Sequence, residues 1–111
     1  MILFVIAAWG LAAAEEPPPP PDVAAAAGAW SQCIQSGIDE SDLEQSPRSV
    51  ARQIETDCRP PAQVMLAAHR RWVESSTLGE REKRDAIRSV ERSVSGIARM
   101  IEEAVRASRD N

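Results

Sequence analysis

Two cysteines and one histidine are the side chains best suited to covalent or metal chemistry in this chain of 111 residues. Cys33 and Cys58 lie 25 positions apart, and His69 follows them. A redox-active dithiol usually has the Cys-x-x-Cys spacing, and a structural zinc ion needs four ligands at close spacings. Neither pattern is present, so we expect no redox site, no metal and no cofactor. What remains is a choice between a disulfide and two free thiols.

The N-terminal segment bears on that choice because it indicates the compartment. Residues 2–14 are almost wholly apolar, which is shorter than the about 20 residues of a membrane-spanning helix and fits the apolar region of a secretory signal. Ala12 and Ala14 have the small side chains that signal peptidase accepts, which predicts cleavage before Glu15. No Lys or Arg stands near Met1, although signals begin with basic residues. Either a basic region precedes this start, or the segment stays as an uncleaved anchor.

A proline-rich stretch separates this segment from the rest of the chain. Residues 15–22 contain five consecutive prolines, which favour a stiff polyproline II linker. Asp22 is predicted to cap the first helix. The predicted organisation is therefore a signal peptide at 1–14, a linker at 15–22 and one small helical domain at 23–111.

Apolar residues recur at spacings of three and four through the domain, which predicts an all-α fold. We expect a first helix from Val23 to about Gly37 and a second that begins at Ser46-Pro47 with a serine cap. The Arg-Pro-Pro sequence at 59–61 ends the second helix and opens a short third one. The buried face predicted for the third helix consists of Val64, Met65, Ala68 and Trp72.

The two cysteines fit a disulfide in a helical hairpin. The midpoint between Cys33 and Cys58 lies between Gln45 and Ser46, where the second helix is predicted to begin. In an antiparallel hairpin with its turn there, the two cysteines lie opposite each other, provided that residues 38–44 continue along the first helix. An even number of cysteines in a small exported domain also favours a disulfide.

Residues 80–108 are predicted to form one long amphipathic helix with a heptad seam. The seam consists of Ile87, Val90, Val94, Ile97, Ile101, Ala104 and Ser108. We expect it either to pack on the hairpin or, through Ile87, Val90, Val94, Ile97 and Ile101, to bind a partner protein or a second copy. The expected ion pairs at i,i+4 spacing are Glu80–Arg84, Arg81–Asp85 and Glu102–Arg106.

Charge is distributed unevenly along the chain. Residues 15–58 carry nine acidic and two basic side chains, whereas residues 59–111 carry eleven basic and eight acidic ones. The halves are complementary, either within one fold or toward a partner. The net charge of −4 gives no reason to expect a nucleic-acid partner. The acidic sequence at 39–44 lacks the pattern of a calcium loop, and His69 is expected on the surface, with its pKa lowered by Arg70 and Arg71.

The run "AWSQCI…DCRPP", with Trp30 three residues before Cys33 and with Cys58 about 25 residues on, resembles a loose group of uncharacterised small exported helical proteins of Gram-negative bacteria. The resemblance covers roughly residues 29–61 and implies a helical domain pinned by a disulfide, without a known activity.

The sequence thus predicts a disulfide-pinned helical hairpin, followed by one short and one long amphipathic helix. The expected protein is periplasmic or secreted, is not an enzyme and acts as a binding or interaction module. The alternative is a membrane-tethered envelope protein that keeps residues 2–14 as its anchor.

Overall fold

The computed structural model describes residues 18–110, and all regular structure within them is helical. The five helices are α1 (Pro21–Asp39), α2 (Pro47–Asp57), α3 (Arg59–Glu74), α4 (Glu80–Ser95) and α5 (Ile97–Asp110). A disulfide joins Cys33 to Cys58. The predicted all-α fold and the predicted disulfide are confirmed.

The helices form three antiparallel arms. The first arm is α1, the second is α2 followed directly by α3, and the third is α4 followed directly by α5. The second arm runs back along the whole of α1, because the disulfide joins their middles and an ion pair of 3.8 Å joins Asp22 to Arg71 near the far end. The third arm reverses again, so that α4 packs on α3 and α5 packs on α2.

The start of α1 differs from the prediction. The helix begins at Pro21, with Pro20 as its capping residue and no side-chain cap. Asp22 therefore lies in the first turn and is not the cap, and Pro21 and Asp22 belong to the helix and not to the linker. Proline suits the first helical position because its missing N–H is one that would have no partner within the helix.

The start of α2 follows the prediction. The hydroxyl of Ser46 accepts a hydrogen bond of 3.1 Å from the amide of Ser49, and Pro47 occupies the first turn. The third helix begins at Arg59, two residues before Pro61, and Cys58 alone separates it from α2. Prolines are tolerated in that first turn for the same reason as in α1.

The predicted single helix over residues 80–108 is wrong, since it breaks at Gly96 into α4 and α5. Glycine is a poor helix former, and the amide of Gly96 caps α4 by donating to the carbonyl of Arg92. The heptad seam is divided accordingly. Of the predicted ion pairs, Glu102–Arg106 forms at 2.8 Å, whereas Glu80 pairs with Lys83 in place of Arg84, and Arg81 and Asp85 do not pair.

The core lies where α1, α2 and α5 meet. Its buried members come from α2, the α2–α3 junction and α5, and half-buried side chains of α1 cover them. The buried members are Val50, Ala51, Ile54, Cys58, Ile101 and Val105, and the residues packed against them are Trp30, Cys33, Ile34, Ile38 and Ile97. The disulfide is therefore part of the core.

A second buried layer holds α1 against α3 with small side chains. Ala26, Ala62 and Ala68 are all buried there, and such side chains let the two helices approach closely. Val64, predicted to be buried, is 60% exposed. The face of α3 that is covered carries Ala62, Met65 and Val73, which turns Val64 toward solvent.

Gly37 lies inside α1 and does not end it as predicted. A Cβ atom at this position would lie 2.8 Å from Cγ1 of Ile54, which is buried in α2. A larger residue would require the Ile54 side chain or the two helices to shift. A Cβ atom at Gly28, by contrast, would meet no other atom of the described residues within 4 Å.

The two glycines of α1 provide a matched pair of alanine substitutions. We expect Gly37→Ala to lower the free energy of unfolding by about 1–3 kcal/mol, because it overpacks the α1–α2 contact. We expect Gly28→Ala to raise it by about 0.5–1 kcal/mol, because alanine is the better helix former and meets no obstacle. Urea denaturation followed by circular dichroism measures both. A stabilising Gly37→Ala would contradict the close approach of the two helices.

Candidate functional site

The disulfide fixes the first two arms at their middles. The Cα atoms of Cys33 and Cys58 are 5.8 Å apart, within the usual range for a disulfide. Cys58 is buried at the junction of α2 and α3, and Cys33 is half-buried on α1. Both cysteines of the chain are thereby used in a structural bond.

His69 and Trp72 lie together on α3. Their ring centroids are 6.0 Å apart in an edge-to-face arrangement, and partial burial lowers the pKa of His69. The predicted cause was wrong, because Arg70 and Arg71 form ion pairs with Glu91 and Asp22 and burial alone accounts for the shift. Within residues 18–110, no group of three or more His, Cys, Asp or Glu side chains is placed to hold a metal ion.

The acidic turn between α1 and α2 is held by the protein's own groups. The carboxylate of Asp42 accepts a hydrogen bond from the amide of Glu44. The guanidinium of Arg109, near the end of α5, donates to the backbone carbonyls of Gln45 and Asp42 at 2.6 and 2.8 Å. These bonds tie α5 to the turn, whose tip exposes Leu43.

The candidate binding surface is a groove between α2 and α5, which we call the arginine groove. Its volume is about 570 Å³. Two alanines form its floor, three arginines form its walls and one carboxylate lies among them. These residues are Arg48, Ala51, Arg52, Ala98, Arg99 and Glu102.

Glu102 is the acidic centre of the groove. Arg106 donates a hydrogen bond of 2.8 Å to its carboxylate, and Arg48 approaches the same group to 3.8 Å from α2. The hydrogen bond from Arg106 is the main cause that holds the pKa of Glu102 below its ordinary value. Burial opposes this effect, and the charges of Arg106, Arg48 and Arg99 add to it. The groove is thus a place where a carboxylate is favoured as an anion.

Arg52 and Arg99 differ from the other two arginines around Glu102. Both are exposed, both line the groove, and they come from different helices. In the part of the chain that the structure describes, neither forms an ion pair within 4 Å. Their guanidinium groups therefore stay available to a ligand from outside.

Five of the seven predicted seam residues lie on the inner side of the third arm, whereas Ala104 and Ser108 are exposed. Ile101 is buried in the core, and Ile87, Val90, Val94 and Ile97 are half-buried. A partner that used the whole seam would have to displace α3 and α2 from these residues. Binding through the seam stays a prediction.

The predicted signal-cleavage residues Ala12, Ala14 and Glu15 lie outside the described residues. Across residues 18–110, no helix is both long enough and apolar enough to span a bilayer.

Sequence reasoning did not find the arginine groove. Arg48 and Arg52 on α2 are one helical turn apart, and so are Glu102 and Arg106 on α5. Each pair therefore forms a stripe on its helix that is visible in the sequence. What the sequence lacks is a sign that these two stripes face each other, since about 50 residues separate them.

No family model, curated protein or solved structure matches the chain significantly.

Reduction of the Cys33–Cys58 bond should destabilise the fold. A loop of 25 residues closed by a disulfide contributes about 3.5 kcal/mol in the chain-entropy model. We expect the free energy of unfolding, measured with urea, to fall by about that amount when a phosphine reductant is added. The Cys33→Ala/Cys58→Ala variant is the control, and its stability should not respond to the reductant.

Glu102 should make the stability of the protein sensitive to acid. Since its pKa is lowered on folding, its contribution is fully present above its ordinary value of about 4.5 and is lost as the pH falls through the lower folded value. We expect wild type to lose more stability between pH 6 and pH 3 than Glu102→Gln does. The control is Glu103→Gln, an exposed neighbour that forms no ion pair within 4 Å among the described residues and should follow wild type. Parallel curves for wild type and Glu102→Gln would contradict the role of Glu102.

Proposed function

We propose that this protein is exported to the periplasm or cell surface, where it acts as a small disulfide-stapled binding module without catalytic activity. The observation that carries the proposal is the Cys33–Cys58 bond in the core. Disulfides form and persist in oxidising compartments and are rare in the cytosol. A domain of fewer than 100 residues gains a large fraction of its stability from such a bond.

The N-terminal sequence supports export independently of the disulfide. The apolar run at residues 2–14 has the length of a signal, and the alanines before Glu15 suit a peptidase. The second candidate is a protein tethered to the membrane by this run. In that case the prolines that precede α1 would hold the helices away from the bilayer.

Binding is proposed because the exposed side of the third arm offers groups that the fold does not use. The fold buries Ile101 and Val105 of α5, whereas Arg99 on the same helix faces solvent in the arginine groove. A partner can therefore contact this arm without disturbing the core. The same arm carries the predicted partner seam, on its inner side.

Export is tested by expressing the full chain in a Gram-negative host and fractionating the cells. We expect the protein in the periplasmic or secreted fraction, with its cysteines oxidised and with Glu15 as its N-terminus by mass spectrometry. The control is a chain with Ala12→Leu and Ala14→Leu, which peptidase should no longer cleave.

The other outcomes discriminate between the alternatives. An intact N-terminus in the membrane fraction would establish the tethered protein. Reduced protein confined to the cytosol would overturn export altogether. Crosslinking in the envelope, followed by capture of the tagged chain, tests for a partner.

A further inference from the structure

We propose that the arginine groove binds an acidic segment of a partner protein, and that Arg52 and Arg99 are the residues that hold its carboxylates. This inference rests on the proposed binding function, because it names the chemistry of the partner. The proposed site lies on the outward side of the α2–α5 pair and not on the apolar seam.

The two arginines approach the groove from different helices. Arg52 reaches the groove from α2 and Arg99 reaches it from α5, across the floor of Ala51 and Ala98. A guanidinium is a planar fork of five donors that matches a carboxylate in a bidentate manner. Two such forks on opposite walls, both without an acidic partner among the described residues, can hold two carboxylates of one segment.

The groove already binds one carboxylate of the protein itself. Glu102 is held there as an anion by Arg106 and Arg48, and its pKa is lowered. Within the groove three arginines face this single acid, although the whole chain has a net charge of −4. The local excess of positive charge attracts anionic groups over a distance of about 10 Å at moderate salt.

Among anionic partners, an acidic polypeptide fits the groove better than a nucleic acid or a membrane. Sites for single-stranded nucleic acid combine basic side chains with exposed aromatic rings for base stacking, and no aromatic residue of the described chain lines this groove. Membrane-surface helices combine basic residues with a large apolar face that enters the lipid, and here the apolar floor consists of alanine, with Ala51 only 1% exposed. An open groove with a floor of small residues and with arginines on both of its helices fits an extended polypeptide with acidic side chains.

The test uses two fluorescent decapeptides, one of alternating Glu and Ser and one of alternating Gln and Ser. Their binding to the oxidised full chain is measured by fluorescence anisotropy at low and moderate salt. We expect the Glu peptide to bind and the Gln peptide not to bind, with an affinity that falls as salt is added.

The variants locate the binding site. We expect Arg52→Gln/Arg99→Gln to weaken binding of the Glu peptide by about tenfold, as the loss of two exposed charged contacts implies. The matched control is Arg81→Gln/Arg84→Gln on α4, which removes the same charge from exposed positions and should change the affinity by less than about twofold. Glu102→Gln should strengthen binding, because it removes a negative charge beside Arg52 and Arg99 that repels an acidic peptide.

Three results would overturn the inference. They are no binding of the Glu peptide, an equal loss in the two double variants, or groove-dependent binding of phosphatidylglycerol vesicles in the absence of peptide binding. The proposed binding function would still hold, although the groove proposal had failed, if an envelope partner crosslinked equally well to wild type and to Arg52→Gln/Arg99→Gln. Failure of the groove and failure of the binding module are thus distinguishable.

Discussion

The contact between α1 and α2 is the constraint on which the rest of the fold depends. Two neighbouring features hold these helices together. They are the Cys33–Cys58 bond and, one helical turn away, the close approach of Gly37 to Ile54. The disulfide limits how far the two helices can separate, and the missing side chain at Gly37 lets them come close. With α1 held in this register, its half-buried apolar side chains cover one side of α2. Helix α5 packs on α2 as well and completes the core.

The second and third arms are each divided into two helices. Cys58 separates α2 from α3, and Gly96 separates α4 from α5. The two breaks lie at the same level, because residues from both sides of each break line one cleft, together with Trp30. These residues are Glu55, Arg59, Ala62, Val94, Ser95 and Ile97. The breaks let α5 follow α2 while α4 follows α3, and among the described helices α4 contacts only α3 and α5.

Local features of the sequence were enough to predict part of this arrangement. Ser46-Pro47 specifies a helix start through a cap and a fixed φ, and that start placed the cysteines opposite each other. The break at Gly96 was missed because heptad spacing continues across it, and periodicity gives no weight to one poor helix former. The exposure of Val64 was missed because the spacing of apolar residues does not say which neighbours cover α3. The arginine groove requires the pairing of α2 with α5, which no local pattern contains.

The distribution of charge along the sequence was the least reliable predictor of how the two halves of the chain pack together. The complementary halves allow ion pairs between them, and Asp22–Arg71 and Glu55–Arg59 are such pairs. Arg48–Glu102 has the opposite arrangement, with its basic member in the acidic half. Each pair has at least one exposed member, and such pairs contribute about 0–1 kcal/mol each. The fold is therefore held by the core and the disulfide, and most charges are free of a structural task. In the arginine groove, two guanidinium groups therefore face solvent, beside a carboxylate that already forms ion pairs.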